Sequence, residues 1–211
     1  MLKCLRDEQF GSGMANERQT AMRVSISAIR VNRMQSVILI GPMGAGKSTV
    51  GRLLAGRLHL PFYDSDSVIV QRTGVSIPTI FEIEGEDGFR AREARVLADL
   101  AGMGPMVLAT GGGIVLRPEN RARLKAMGRV VYLDVSVDEQ LRRVRMDSNR
   151  PLLQVADPRA RLETLQGERA PLYRELADLT LRTDGLRAEQ VVGQIVKFLK
   201  DDGADGGCGK A

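Results

Sequence analysis

Tryptophan is absent from this 211-residue chain, and five phenylalanines and three tyrosines are its whole aromatic content. A core must therefore be assembled from Leu, Val, Ile, Ala and Met, and a stacking platform for single-stranded nucleic acid is short of rings. The single histidine, His59, excludes a multi-histidine metal site, and a Ser-His-Asp hydrolase would have to be built on that one residue. At the end of RLLAGRLHL it suits a helix cap or a surface cover. Cys4 and Cys208 lie one in each tail, with no C-x-x-C and no Cys/His spacing for zinc. Two reduced, inert thiols in a reducing compartment are expected. No apolar run approaches the roughly 18 residues that would span a bilayer. The expectation is a soluble, cytoplasmic protein with no membrane partner.

Strong charge of either sign is lacking too. The net formal charge is +5, of which residues 1–33 supply six basic and three acidic side chains. What remains over 34–199 is a weak footprint for nucleic acid, and no nucleic-acid partner is expected. The composition, 43% hydrophobic and 27% charged, is that of an ordinary globular protein, and the length suits one domain with its own core.

Residues 1–33 mix Gly, Ser, Arg, Gln and Asn without periodicity and carry no continuous apolar segment. They read as a disordered extension, and Met14, Met22 and Met34 each offer a start. The domain pattern occupies 34–200, and the Gly/Asp-rich residues 201–211 read as a flexible tail. Between the tails, SVILI (36–40), PFYD (61–64), MVLAT (106–110), VVYLD (130–134) and DLTLR (178–182) read as strands. Each of the first four is followed by a helix-period stretch, so the fold class is α/β, with a parallel sheet, right-handed crossovers and helices on both faces. Ligands of such sheets sit beyond the carboxyl ends of the strands.

GPMGAGKST, Gly41 to Thr49, completes G-x-x-x-x-G-K-[ST] between a buried-looking strand and a helix. Its glycines let the backbone turn tightly, so that successive N–H groups point at a phosphate oxygen beside the positive end of the following helix. Lys47 places a charge on a transferring phosphoryl group, and the Ser48 hydroxyl completes a Mg2+ site shared with phosphate oxygens. A nucleoside triphosphate is the expected ligand.

Acids compete for the second metal position. Asp134 ends VVYLD in the pattern of a P-loop ATPase acid. Asp64 and Asp66, in FYDSDS, lie 17 and 19 residues beyond Lys47. Both are expected on one side of an extended segment, with helix capping as their competing role. GEDGFRAREARVL (85–97) reads as a helix carrying Arg90 and Glu93 on one face. TGGG, ending in Gly111, Gly112 and Gly113, is a backbone that can approach a ligand closely and offer N–H groups. RMDSNRPLLQVADPR (145–159) reads as a mobile lid, and QGERAPLYREL (166–176) supplies Arg169 ahead of Pro171.

These pieces in this order resemble the shikimate kinase family over about residues 36–199: GPMGAGKSTVG, DSD at 64–66, GFR ending at Arg90, GGG at 111–113, RPLL from Arg150 and RAPLY from Arg169. The resemblance implies a three-layer P-loop fold with a five-stranded parallel sheet of order 2-3-1-4-5, a helical substrate-binding region and a lid. It also implies ATP-dependent phosphorylation of the 3-hydroxyl of shikimate, with one Mg2+ and ATP as co-substrate. Matched by position, Gly44, Ala45, Gly46, Lys47, Ser48 and Thr49 bind ATP, joined by Arg143, Arg150 and, in a register about one residue off the family pattern, Arg187. Arg145 competes with Arg143 for adenine. Asp66, Arg90, Gly111, Gly112, Gly113 and Arg169 bind shikimate, Ser48 and Asp64 hold the metal, and Lys47, Asp66 and Arg150 act in catalysis. Asp134 then becomes a structural strand-end acid, and a monomer is expected.

Two rivals carry distinct consequences. A kinase of another small acid such as gluconate would share the P-loop and the cationic clamps, but the arginine positions and the GGG favour shikimate. An ATP-dependent regulatory module would use the N-terminal arm on nucleic acid, and that arm has no dense basic run.

Overall fold

The computed structural model describes residues 35–144 and 156–205, all within a unit that begins at Met34. The expected extension, most of the expected lid with Arg145 and Arg150, and the last residues of the tail lie outside the described residues. Five strands, β1 (Ser36–Ile40), β2 (Phe62–Asp64), β3 (Val107–Ala109), β4 (Gly128–Asp134) and β5 (Leu179–Arg182), form one sheet in the order β2-β3-β1-β4-β5. All its pairings are parallel.

β1 is buried along its whole length because it is the middle strand and both its faces are covered. Its side chains divide by parity. Ile38 and Ile40 join Leu108, Val130 and Tyr132 in one apolar layer, while Val37 and Leu39 join Val107, Val131 and Leu133 in the other. The first layer packs beneath α2 (Ser65–Thr73), α3 (Ile77–Ala101), α4 (Pro118–Met127) and α6 (Pro158–Leu176), and the second beneath α1 (Lys47–Leu58) and α7 (Ala188–Asp205). α5 (Val137–Val144) follows β4. Among the described residues no helix is long and apolar enough to cross a membrane.

Local chemistry sets the element ends. His59 takes a left-handed φ of 55° and closes α1 by donating its N–H to Ala55, the capping use its position suggests. α3 starts on Ser76, whose side chain accepts from Thr79 N–H, and it bends at Gly85, where φ 70° and ψ −175° interrupt the helical turn. Phe81 and Phe89 bridge that bend with ring centroids 4.8 Å apart. The Gly/Asp-rich end departs from the expected tail: α7 continues through Asp205, and Asp202 pairs with Arg129 at the start of β4.

Candidate active site

β1 delivers the chain into the Gly41–Gly46 loop, and α1 begins on Lys47 behind Gly46, which takes φ 87°. No side chain caps this helix, so its first-turn amides are left for an anion, with the positive helix end behind them. Lys47 Nζ folds back over the loop and donates to the carbonyls of Gly41 and Pro42, both at 2.8 Å. Gly44, Gly46, Lys47, Ser48 and Thr49 line a cavity of about 530 Å3. Ala45 turns its methyl into the core at 1% exposure, and its N–H donates to Pro42 O at 3.3 Å.

The carboxylates reach the same cavity by a different route from the expected one. β2 stops at Asp64 and α2 starts at Ser65, so Asp66 lies in the first turn of a helix and not two residues along a strand. The reason is capping: Asp64 Oδ1 accepts from the N–H groups of Asp66 and Ser67 at 3.1 and 3.2 Å. Its other oxygen, Oδ2, accepts from Ser48 Oγ at 2.5 Å. One carboxylate thus caps α2 with one oxygen and meets the P-loop serine with the other. Asp64 and Asp66 both line the cavity, whereas Asp134 is not among its lining residues. Asp134 instead accepts from Tyr132 Oη at 2.8 Å and, through its backbone carbonyl, from Thr183 Oγ1 at 3.0 Å.

Opposite the loop stands a buried cluster of charge. Arg90, 6% exposed, donates to fully buried Glu93 at 2.9 Å and to Glu86 at 3.0 Å. Arg169, also 6% exposed, enters from α6, and its Nε is buried with no hydrogen-bond partner among the described residues. Two guanidinium groups facing a cavity offer a planar match to a carboxylate. The glycines of the 111–113 loop are where these groups press on the backbone. A Cβ on Gly111 would lie 2.7 Å from Asp66 Oδ1 and 2.8 Å from Glu93 Oε1, and one on Gly113 would lie 2.2 Å from Arg90 Nη2. The loop's amides are not all offered to a ligand as expected, since Gly111 N–H already donates to Ser65 Oγ at 2.9 Å.

Arg143 also lines the cavity. It bridges the P-loop to the strand-end loop after β5 by donating to Gly44 O at 2.9 Å and Thr183 O at 3.0 Å. Arg187 is exposed and is not among the lining residues; its backbone N–H donates to Gln190 at 2.9 Å at the start of α7. Sequence reasoning passed over Phe81, Phe89 and Thr110 in the cavity wall and the burial of Glu93 and Tyr173. Their signal was helical spacing: Glu93 is three residues from Arg90, and Tyr173 is four from Arg169.

Burial pushes the Glu93 carboxyl up to about 7, against the pull of Arg90 and with a further rise from Asp66. An acid raised on folding contributes most below its unfolded value and loses that contribution as pH climbs through the folded one. The stability of the wild type relative to Glu93→Gln is therefore expected to fall between about pH 4.5 and 7 and to level above it. Thermal melts of both proteins across that window measure it; a flat difference contradicts the assignment.

Similarity to known proteins points to one family. The shikimate kinase family model matches residues 43–200. The chain is 57% identical over 175 residues to a shikimate kinase of Thioalkalivibrio sulfidiphilus, covering 83% of this chain and 92% of that one. It is 59% identical over 164 residues to one of Halorhodospira halophila, covering 78% and 93%. Among solved structures, the shikimate kinase of Acinetobacter baumannii in complex with shikimate superposes with a TM-score of 0.78 at 47% identity, covering 80% of this chain and 94% of that chain. That of Aquifex aeolicus gives 0.67 at 36% identity, with 80% and 98% covered. With the sheet order, the phosphate loop and the arginine cluster all in place beneath that likeness, the chain belongs to the shikimate kinase family.

Proposed function

We propose that this protein transfers the γ-phosphoryl group of ATP to the 3-hydroxyl of shikimate, releasing ADP and shikimate 3-phosphate. The observation that carries the reading is the convergence of Arg90, Arg169, Asp66 and the 111–113 glycines on the cavity into which the P-loop opens. The acid's carboxylate docks on Arg90 and Arg169. Its ring hydroxyls meet Asp66 and the Gly112 N–H. Asp66 orients the attacking hydroxyl and accepts its proton, although a loose transition state demands little of a base. The P-loop amides from Gly44 to Thr49 hold the β- and γ-phosphates, and Lys47 meets the charge on the transferring oxygens, with Arg150 as the second cation assigned there. Arg143 takes the adenine side, and Arg187, being off the cavity wall, is the weaker nucleotide contact.

Among the described residues no group of three or more His, Cys, Asp or Glu could hold a metal. The fit to Mg2+ rests on the Ser48 Oγ and Asp64 Oδ2 pair. Mg2+ keeps several waters and takes phosphate oxygens as further ligands, so one or two protein oxygens at the P-loop suffice. When bound there it would neutralise charge on the β- and γ-phosphates. Because Asp134 is committed to Tyr132 and Thr183, Asp134→Asn is expected to leave the Mg2+ dependence of the rate nearly intact, whereas Ser48→Ala weakens it strongly. Rates measured against Mg2+ concentration separate the two; a comparable collapse in both would restore Asp134 as the metal acid.

A panel of acceptor acids in a coupled ADP-release assay tests the function. Turnover with shikimate and none with gluconate is expected. The reverse result would replace the acceptor, and salt-sensitive DNA binding with no acceptor phosphorylated would replace the class of function.

A further inference from the structure

Three consecutive peptide units run through the 110–113 turn, and the middle one carries the Gly112 N–H that the functional reading aims at a ring hydroxyl. The unit before it is fixed through Gly111 N–H, which donates to Ser65 Oγ at 2.9 Å. The unit itself is fixed through Gly111 O, which accepts from Ile114 N–H at 3.2 Å. The unit after it is fixed through Gly112 O, which accepts from the Tyr173 hydroxyl. Rotation of the Gly112 amide would break the bond between Gly111 O and Ile114 N–H, and the units that flank it are each held by a buried side chain.

Both anchors are built into the core. Ser65 is fully buried between the two site aspartates, and Tyr173 is 1% exposed. Tyr173 stands one helical turn from Arg169 on α6 and stacks on Tyr132 of β4, with centroids 5.0 Å apart. A Cβ placed on Gly112 would lie 3.5 Å from Tyr173 Oη, 3.5 Å from Gly41 O and 3.7 Å from Arg169 Nη1. Tyr173 thus meets the glycine turn at the point where the P-loop and the arginine on its own helix also arrive. Burial pushes its hydroxyl up to about 12, so it remains a donor across the physiological range.

We infer that Ser65 and Tyr173 are positioning residues that hold the 111–113 turn from its two ends and thereby aim the Gly112 amide at one hydroxyl of the acceptor. Neither touches the reacting atoms. They act by making the discrimination between a hydroxyl and a hydrogen at that ring position sharp, because a fixed donor left without its acceptor is costly and a mobile one is not. The inference rests on the proposed function, and the test distinguishes the two.

The experiment compares the Kd of shikimate with those of its three monodeoxy analogues, by calorimetric titration on the wild type, Tyr173→Phe and Ser65→Ala, with thermal melts to confirm folding. In each variant the Kd of shikimate is expected to rise about 3- to 10-fold, as for loss of one hydrogen bond, with KM for ATP unchanged. For one analogue the penalty relative to shikimate, large in the wild type, shrinks by a similar factor, while the other two penalties stay as they were. A merely structural effect would weaken the binding of all four ligands together. Three unchanged penalties in a folded variant overturn the inference while leaving the function intact; absence of shikimate turnover by the wild type removes the function itself. Ser65→Ala carries the test alone if Tyr173→Phe does not fold.

Discussion

Lys47→Ala is expected to lower kcat for phosphoryl transfer by about 100- to 1,000-fold, the usual cost of removing one preorganised donor to transition-state charge. Phosphoryl transfer asks the protein chiefly for position and charge, and a loose transition state concentrates its demand on the groups that surround the moving oxygens. Lys47 Nζ is held at the loop by two backbone carbonyls, those of Gly41 and Pro42. These are exchangeable contacts, and a phosphate oxygen entering the cavity offers a stronger partner than a neutral carbonyl. The fold depends little on them, because the cavity is open to water that replaces the ammonium. The melting temperature is expected to move by less than about 4 °C. Single-turnover measurement with ATP and shikimate separates the loss of chemistry from a loss of nucleotide binding. A variant that retained more than about a tenth of the wild-type kcat would show that the charge on the transferring group is met elsewhere.

Arg90→Ala is the second large effect, expected in the acceptor KM and not in that for ATP. Truncating one partner of a buried, hydrogen-bonded charge pair costs about 2–5 kcal/mol, or roughly 30- to 4,000-fold in affinity. Arg90 is such a partner twice over, since it is buried against Glu93 and is proposed to face the substrate carboxylate. Two consequences have to be separated. Loss of the substrate contact raises KM, while the abandoned Glu93 lowers stability. Arg90→Lys resolves them: an ammonium still faces Glu93 but has no planar fork for a carboxylate, so stability recovers more than affinity does. Arg169→Ala is expected to parallel Arg90→Ala in KM. Isothermal titration with shikimate in the absence of nucleotide measures both, and an effect confined to ATP binding would contradict the carboxylate clamp.

Much of this was legible in the sequence. The P-loop announced itself because its function is carried by backbone amides, whose geometry follows from glycine positions and the strand and helix on either side. The five strands were legible as short apolar runs, and their all-parallel arrangement followed from the helices between them. Asp64 was harder, since capping and metal binding look alike in a sequence; one oxygen of its carboxylate caps α2 and the other accepts from Ser48 Oγ. Arg187 matched the family pattern only loosely, and it stands exposed off the cavity wall. The end of α7 was read as a tail from its Gly and Asp content, yet the ion pair between Asp202 and Arg129 joins it to β4 across a separation in sequence that composition does not reveal.

By itself the sequence determined what is local in cause: the α/β class, the phosphate loop and the order of the motifs. These depend on turn chemistry, periodicity and neighbouring residues, which a linear string records. Only the tertiary structure decided which charges are buried together. Arg90 and Glu93 on α3, Arg169 and Tyr173 on α6 and the glycine turn after β3 meet because the parallel sheet brings its strand ends to one edge. Burial then removes the water that would otherwise screen them, so side chains that are ordinarily solvated become a paired, desolvated cluster at the mouth of the phosphate loop.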